Sequence, residues 1–180
     1  LMHLLFMQSG GLLEITSLAR ESGLSRPTVM AHIEALSIAH AITIIYPWFG
    51  GGVKEIIKRP KVYGFDTGFV TYIKGWNEIR ETDRGLLWEH LVLDMLQIKF
   101  GQVYYWLDKE KHEIDFIVRG NRDELHTIEC KINPEKFTPS AIHKFRNTYP
   151  KGRNFCFSPH IRSPYKLKTG KFEIEFLSVP

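Results

Sequence analysis

Three short runs rich in β-branched and aromatic residues, Val103 to Leu107, Glu113 to Val118 and Leu125 to Lys131, follow directly on the stretch Gly85 to Phe100. In that stretch Leu87, Leu91 and Met95 recur at i, i+4 and i+8. The apolar period therefore changes from that of a helix to that of strands within a few residues. Turn-rich Arg119 to Glu124 joins the second and third runs and predicts an antiparallel hairpin. Thr138 to Tyr149 reads as a second helix with Pro139 in its first turn, Asn154 to Phe157 as a fourth strand and Phe172 to Leu177 as a fifth. The order helix, three strands, helix, strand specifies a mixed sheet flanked by helices, an α+β or α/β fold.

The N-terminal part has a different character. Leu1 to Gln8 is apolar and stops at Ser9-Gly10-Gly11. Ile15, Leu18 and Ala19 recur at helical spacing up to the break at Ser22-Gly23-Leu24. Ser25 is a good N-cap, Pro27 is tolerated in a first turn, and Val29, Ile33 and Leu36 form one stripe. Two helices about a short glycine turn make a helix-turn-helix. The β-branched run Ala41 to Tyr46, the Gly-rich loop Pro47 to Arg59 and a returning strand Lys61 to Phe65 complete a winged helix, which Asp66-Thr67-Gly68 closes. Thr71 to Glu81 reads as a connection. The predicted division is a winged helix-turn-helix domain over 1–76 and the mixed-sheet domain over 77–180.

No apolar run approaches the roughly 20 residues that span a bilayer, so no membrane partner is expected. The apolar start lacks a basic leader and an initiator Met, so the chain is expected to be a fragment of a longer one. Cys130 and Cys156 have neither metal-site nor redox spacing, and two buried thiols in a reducing cytoplasm is the expected state. The net charge of +4 is compatible with a polyanionic partner without specifying one.

The chemistry concentrates on two strands. Successive side chains alternate between faces, so Glu129 and Lys131 share one face and Cys130 takes the other. If the preceding strand pairs with theirs, Asp115 comes beside Glu129. Two adjacent carboxylates repel unless a cation joins them, and a hard divalent ion, Mg²⁺ or Mn²⁺, fits oxygen donors. Lys131 would offset charge on a phosphate. Glu89, on the preceding helix, is a further candidate ligand. The plain reading of the same residues is a solvated sheet face, and an E-x-K triplet alone does not exclude it.

The segments Lys61-Val62-Tyr63-Gly64-Phe65-Asp66-Thr67-Gly68, Gly85-Leu86-Leu87-Trp88-Glu89, Tyr104-Tyr105-Trp106, Glu113-Ile114-Asp115-Phe116 and Ile128-Glu129-Cys130-Lys131 are successive motifs of a pattern. In that order they resemble the C-terminal region of bacterial and archaeal AAA-type ATPases of unknown function. The resemblance implies a winged helix followed by a restriction-endonuclease-like PD-(D/E)xK nuclease domain. It implies that Glu89, Asp115, Glu129 and Lys131 match the active-site positions, with Asp115, Glu129 and Glu89 as metal ligands. It also implies an upstream P-loop ATPase domain as partner in the full-length chain. Ile114 stands where the superfamily's name has proline, and no G-x-x-x-x-G-K-[ST] occurs in this sequence.

A recognition helix from Ser25 would present Arg26, Thr28 and His32 to DNA, with Glu34 unfavourable near phosphate. The wing adds Lys54, Lys58, Arg59 and Lys61 as candidate backbone contacts. Trp48 and Phe49 in the same loop are either an intermolecular contact or buried anchors. In the tail, Arg162, Lys166, Lys168 and Lys171 alternate with Tyr165 and Phe172, which reads as a nucleic-acid track or as a solvated hairpin. The scattered histidines (His32, His90, His112, His126, His143 and His160) have no ligand spacing, and only His90, beside Glu89, and His112, before the Asp115 strand, are candidates for the site. Two functions remain open: a Mg²⁺-dependent nuclease acting on DNA in the cytoplasm, and a non-catalytic DNA- or protein-binding module of the ATPase.

Overall fold

Ser25 caps a helix as its side chain requires: its hydroxyl oxygen accepts from the Thr28 N–H at 3.2 Å, and Pro27 occupies the first turn. That helix belongs to the first of two units into which the computed structural model divides; residues 1–50 and 59–178 are described. The first unit runs α1 (Met2–Met7), β1 (Gly11–Leu12), α2 (Ile15–Ser22), α3 (Arg26–Ile38), β2 (Ile42–Pro47), β3 (Lys61–Gly64) and α4 (Thr67–Ile73). Gly23 ends α2 at φ +69°, a conformation glycine adopts without strain. β3 pairs antiparallel with both β1 and β2, with Val62 opposite Gly11 and Ile44. Leu5, Phe6, Leu18, Val29, Ile33, Ile42, Val62 and Val70 form the core. Gly64 has no room for a side chain, since a Cβ there would lie 2.7 Å from the Phe6 ring.

Two elements of this unit depart from the sequence expectation. β1 has only two residues, too few to show a period. Asp66-Thr67-Gly68 does not close the unit: Asp66 Oδ1 accepts from the Phe69 N–H at 2.7 Å and starts α4. Asp serves turns and N-caps by the same short-range hydrogen bond, and here the cap prevails.

The second unit runs α5 (Glu81–Phe100), β4 (Val103–Leu107), β5 (Glu113–Arg119), β6 (Leu125–Cys130), α6 (Ser140–Thr148), β7 (Asn154–Phe157), β8 (Tyr165–Thr169) and β9 (Phe172–Leu177), with a 3₁₀ turn at Pro134–Lys136. Its strands lie in the order β4-β5-β6-β7-β9-β8. β4, β5 and β6 are antiparallel neighbours, β6, β7 and β9 are parallel, and β8 returns antiparallel to β9. The fold is therefore α+β with a mixed sheet. α5 packs on β4, β5 and β6, and α6 packs on β5. Ile117, Ile142, Phe145, Cys156, Ile174 and Phe176 centre the core. Both cysteines are free thiols, Cys156 buried and Cys130 half-buried. The loop after β2 contributes Trp48, whose backbone N–H donates to the Tyr105 carbonyl at 2.7 Å and whose ring meets Tyr104 and Tyr149 edge-on. Trp48 is thus an anchor within this unit.

α6 crosses from β6 to β7, and one side chain fastens that crossover. Arg146 is 2% exposed and faces only neutral acceptors. Its guanidinium donates to Asn154 Oδ1 at 2.7 Å and to the carbonyls of Leu125, Arg153, Lys151 and Tyr149 at 2.8–3.1 Å. Burial pulls its pKa down to about 10, still charged at neutral pH. Gly152 lets the chain pass close by, since a Cβ there would lie 2.0 Å from the Leu125 carbonyl oxygen. Arg146→Ala strands these acceptors and should destabilise the chain by about 3 kcal/mol or more in urea unfolding. Arg146→Lys keeps the charge without the planar fork and should recover only part of that loss.

Candidate functional site

Register places the central residues. Phe116 pairs with Ile128 and Ile117 with Thr127, so the antiparallel ladder brings Asp115 opposite Glu129 on one face. Asp115 Oδ2 accepts from the Cys130 N–H at 2.7 Å, which fixes the carboxylate against the end of β6. The Lys131 N–H donates to the Phe157 carbonyl at 3.0 Å, continuing the parallel pairing with β7 past the end of β6. Its ammonium lies 2.7 Å from Glu129 Oε2 and 3.6 Å from Asp115 Oδ2. The structure thus gathers Asp115, Glu129 and Lys131.

The balance of charge in this group is uneven. Two carboxylates meet one ammonium, and Glu129 is only 5% exposed. Burial first, and then the negative charge of Asp115, raise the Glu129 pKa to about 8 against the opposing pull of Lys131. Burial would lower the Lys131 pKa, but Asp115 and Glu129 outweigh it and hold the ammonium charged above the ordinary lysine range. One negative charge in excess must be met by a proton or by a cation. Oxygen donors of this kind suit Mg²⁺ or Mn²⁺.

Glu89 stands on α5, half-buried, and its charge acts on the Cys130 thiol together with that of Asp115. Among the described residues, the one group of three donors lying within 4.8 Å of one another is elsewhere: Asp108, Glu110 and His112 in the β4–β5 turn. Glu89, Asp115 and Glu129 do not form such a group. In the turn, His112 Nδ1 lies 2.8 Å from Asp108 Oδ2, and Lys144 holds both Glu110 oxygens at 2.9–3.0 Å. His90 is buried within α5. A cleft of about 380 Å³ opens beside Lys131, lined also by Glu81, Thr82, Gly85, Asn133 and Lys136. Sequence reasoning passed over Asn133 and Lys136; their signal was the Asn-Pro turn immediately after the E-x-K triplet.

The expected DNA contacts are dispersed. Arg26 and His32 are exposed on α3, but His32 Nδ1 lies 2.8 Å from the Thr28 carbonyl, and the Thr28 hydroxyl is engaged with Ser25 at 2.7 Å. Arg59 is ion-paired with Glu14. Lys54 and Lys58 lie outside the described residues. In the tail, Lys166 pairs with Glu173 at 2.6 Å and Tyr165 stacks on Phe176, so the aromatic interleaving there serves the β8–β9 hairpin.

Residues 84–176 match the family model described as domain of unknown function DUF4143, and residues 1–80 match that of DUF8612. Two uncharacterised proteins, from Mycobacterium bovis and Mycobacterium tuberculosis, are each 29% identical to the chain over 115 residues. The match covers 61% of this chain and 26% of each relative, so the chain spans about a quarter of the length of these curated relatives. Among solved structures the chain is similar to a half-complex of Thermococcus gammatolerans McrB AAA+ hexamers with bound McrC. The identity is 10% and the TM-score 0.41, covering 97% of this chain and 46% of that one.

The raised Glu129 pKa fixes a pH dependence. The folded state favours the protonated acid, so its contribution to stability is complete below the ordinary carboxylate pKa of 4.5 and is lost as pH rises through about 8. In chelator, thermal unfolding should show this loss between those limits, and Glu129→Gln should abolish it. Mg²⁺ added above pH 8 should raise the native chain's midpoint and leave that of Asp115→Asn nearly unmoved.

Proposed function

This chain belongs to the family of the domain of unknown function DUF4143, and we propose that its second unit is a metal-dependent phosphodiesterase domain acting on DNA. The observation that carries the reading is the excess negative charge of Asp115 and Glu129 about the single ammonium of Lys131. The order of the sequence motifs, with its resemblance to the PD-(D/E)xK nucleases, supports it.

Asp115 and Glu129 would hold the ion, with Glu89 reaching in from α5 as an auxiliary ligand. A bound Mg²⁺ or Mn²⁺ supplies Lewis-acid polarisation of the phosphodiester and a more acidic water. The Cys130 N–H keeps Asp115 oriented toward the site. Lys131, released from the carboxylates, offsets charge developing on the phosphate or positions the attacking water. The cleft beside it, with Lys136 on its rim, accommodates the backbone of the substrate. For the first unit, helix-turn-helix α2–α3 followed by β2–β3 supports a winged-helix reading. A P-loop ATPase as partner of this unit rests on the motif resemblance alone.

One observation favours a second reading. Lys131 already bridges both carboxylates, which is also how a non-catalytic module would quiet such a site. The two readings separate in a cleavage assay on single- and double-stranded DNA and on RNA with Mg²⁺ or Mn²⁺. Asp115→Asn and Lys131→Ala should each lose about a hundredfold or more of the native rate. Equal traces from native and variant protein on every substrate would leave only the binding-module reading.

A further inference from the structure

The exposed side of α3 carries apolar side chains between its charged ones. Met30 is 58% exposed, Ile38 72% and Tyr46, on β2, 58%. With Pro27 and Ile44 they border a groove of about 860 Å³ in the first unit, and among the described residues Glu34 is the one charged side chain in its lining. A contiguous apolar surface of this kind marks a protein interface. A carboxylate within it repels phosphate, so nucleic acid is a poor occupant.

The charges on α3 specify a better one. Arg26 and Glu34 lie four residues before and four residues after Met30, about one turn each, and both are exposed. In a two-fold interface the same patch meets itself. If two α3 helices pack antiparallel with the axis at Met30, each residue before it faces the residue equally far after it in the other copy. Arg26 of one copy then meets Glu34 of the other, twice, around a central Met30 contact. We propose that this α3 groove is a homodimer interface, its occupant being α3 of a second copy of the chain.

Sedimentation velocity of the full chain over a concentration series tests this. The native chain should pass from monomer to dimer, and Met30→Lys should stay monomeric. Arg26→Glu and Glu34→Arg should each weaken the dimer by about tenfold or more through like-charge contacts. The double exchange, Arg26→Glu with Glu34→Arg, should restore it. A native chain that stays monomeric, a dimer indifferent to Met30→Lys, or a double variant no tighter than the single ones would overturn the proposal. So would duplex DNA binding that Met30→Asp weakens and Glu34→Arg strengthens, since that assigns the face to nucleic acid.

Discussion

The second unit depends on the parallel step from β6 to β7, because it is there that the chain must leave the sheet and come back. An antiparallel hairpin such as β5–β6 closes through a short turn, but a parallel pair needs a crossover, here α6. Arg146 ties the far end of that crossover to both strands, binding the Leu125 carbonyl at the start of β6 and the Arg153 carbonyl and Asn154 side chain at the start of β7. A buried guanidinium that pairs with no carboxylate among the described residues is expensive unless its N–H groups find other acceptors. The carbonyls left over where the chain turns from α6 into β7 supply them. The same contact sets the β6–β7 register, and that register carries Lys131 to the Phe157 carbonyl at the other end of the strands.

The candidate site follows from two registers. The β5–β6 ladder sets Asp115 opposite Glu129, and a slip of one residue would send Glu129 and Lys131 to the other face. The β6–β7 ladder sets the buried Cys156 opposite Glu129, which removes water from one side of the carboxylate. The proximity of Asp115 and the low polarity around Cys156 together make the Glu129 charge costly. Lys131 relieves only part of that cost. A site arranged this way has a standing preference for one more positive charge, which is the physical content of the metal-binding proposal.

Much of this was legible in the sequence because the signals were local. The stripe Val29 and Ile33, the Ser25 cap, the Gly23 break and the turn between β5 and β6 each rest on neighbours within a few residues. The alternation of Glu129, Cys130 and Lys131 predicted which two share a face, and the hairpin brought Asp115 to them. What could not be read had long-range causes or rival local ones. β8 lies at the sheet edge with its lysines exposed, and such an edge strand is indistinguishable from a polar loop by pattern. Asp66 serves turns and caps alike. Four of the five acceptors of Arg146 lie in the turn and strand just after its helix, at residues 149–154, and the fifth is the distant Leu125 carbonyl, so nothing in the helix itself announces the set. The pairing of Arg59 with Glu14 likewise joins residues far apart in sequence, which is why the wing cation looked available for DNA.

The central claim is that Asp115 and Glu129 form a cation site held ready by uncompensated charge. Calorimetric titration of Mn²⁺ into the full chain near neutral pH, repeated in buffers of different ionisation enthalpy, tests it most directly. The account predicts saturable binding with release of close to one proton per ion, as Glu129 gives up its acid form. Glu129→Gln should remove the proton release and Asp115→Asn should remove the binding. Absence of binding, or binding that ignores both substitutions, would contradict it.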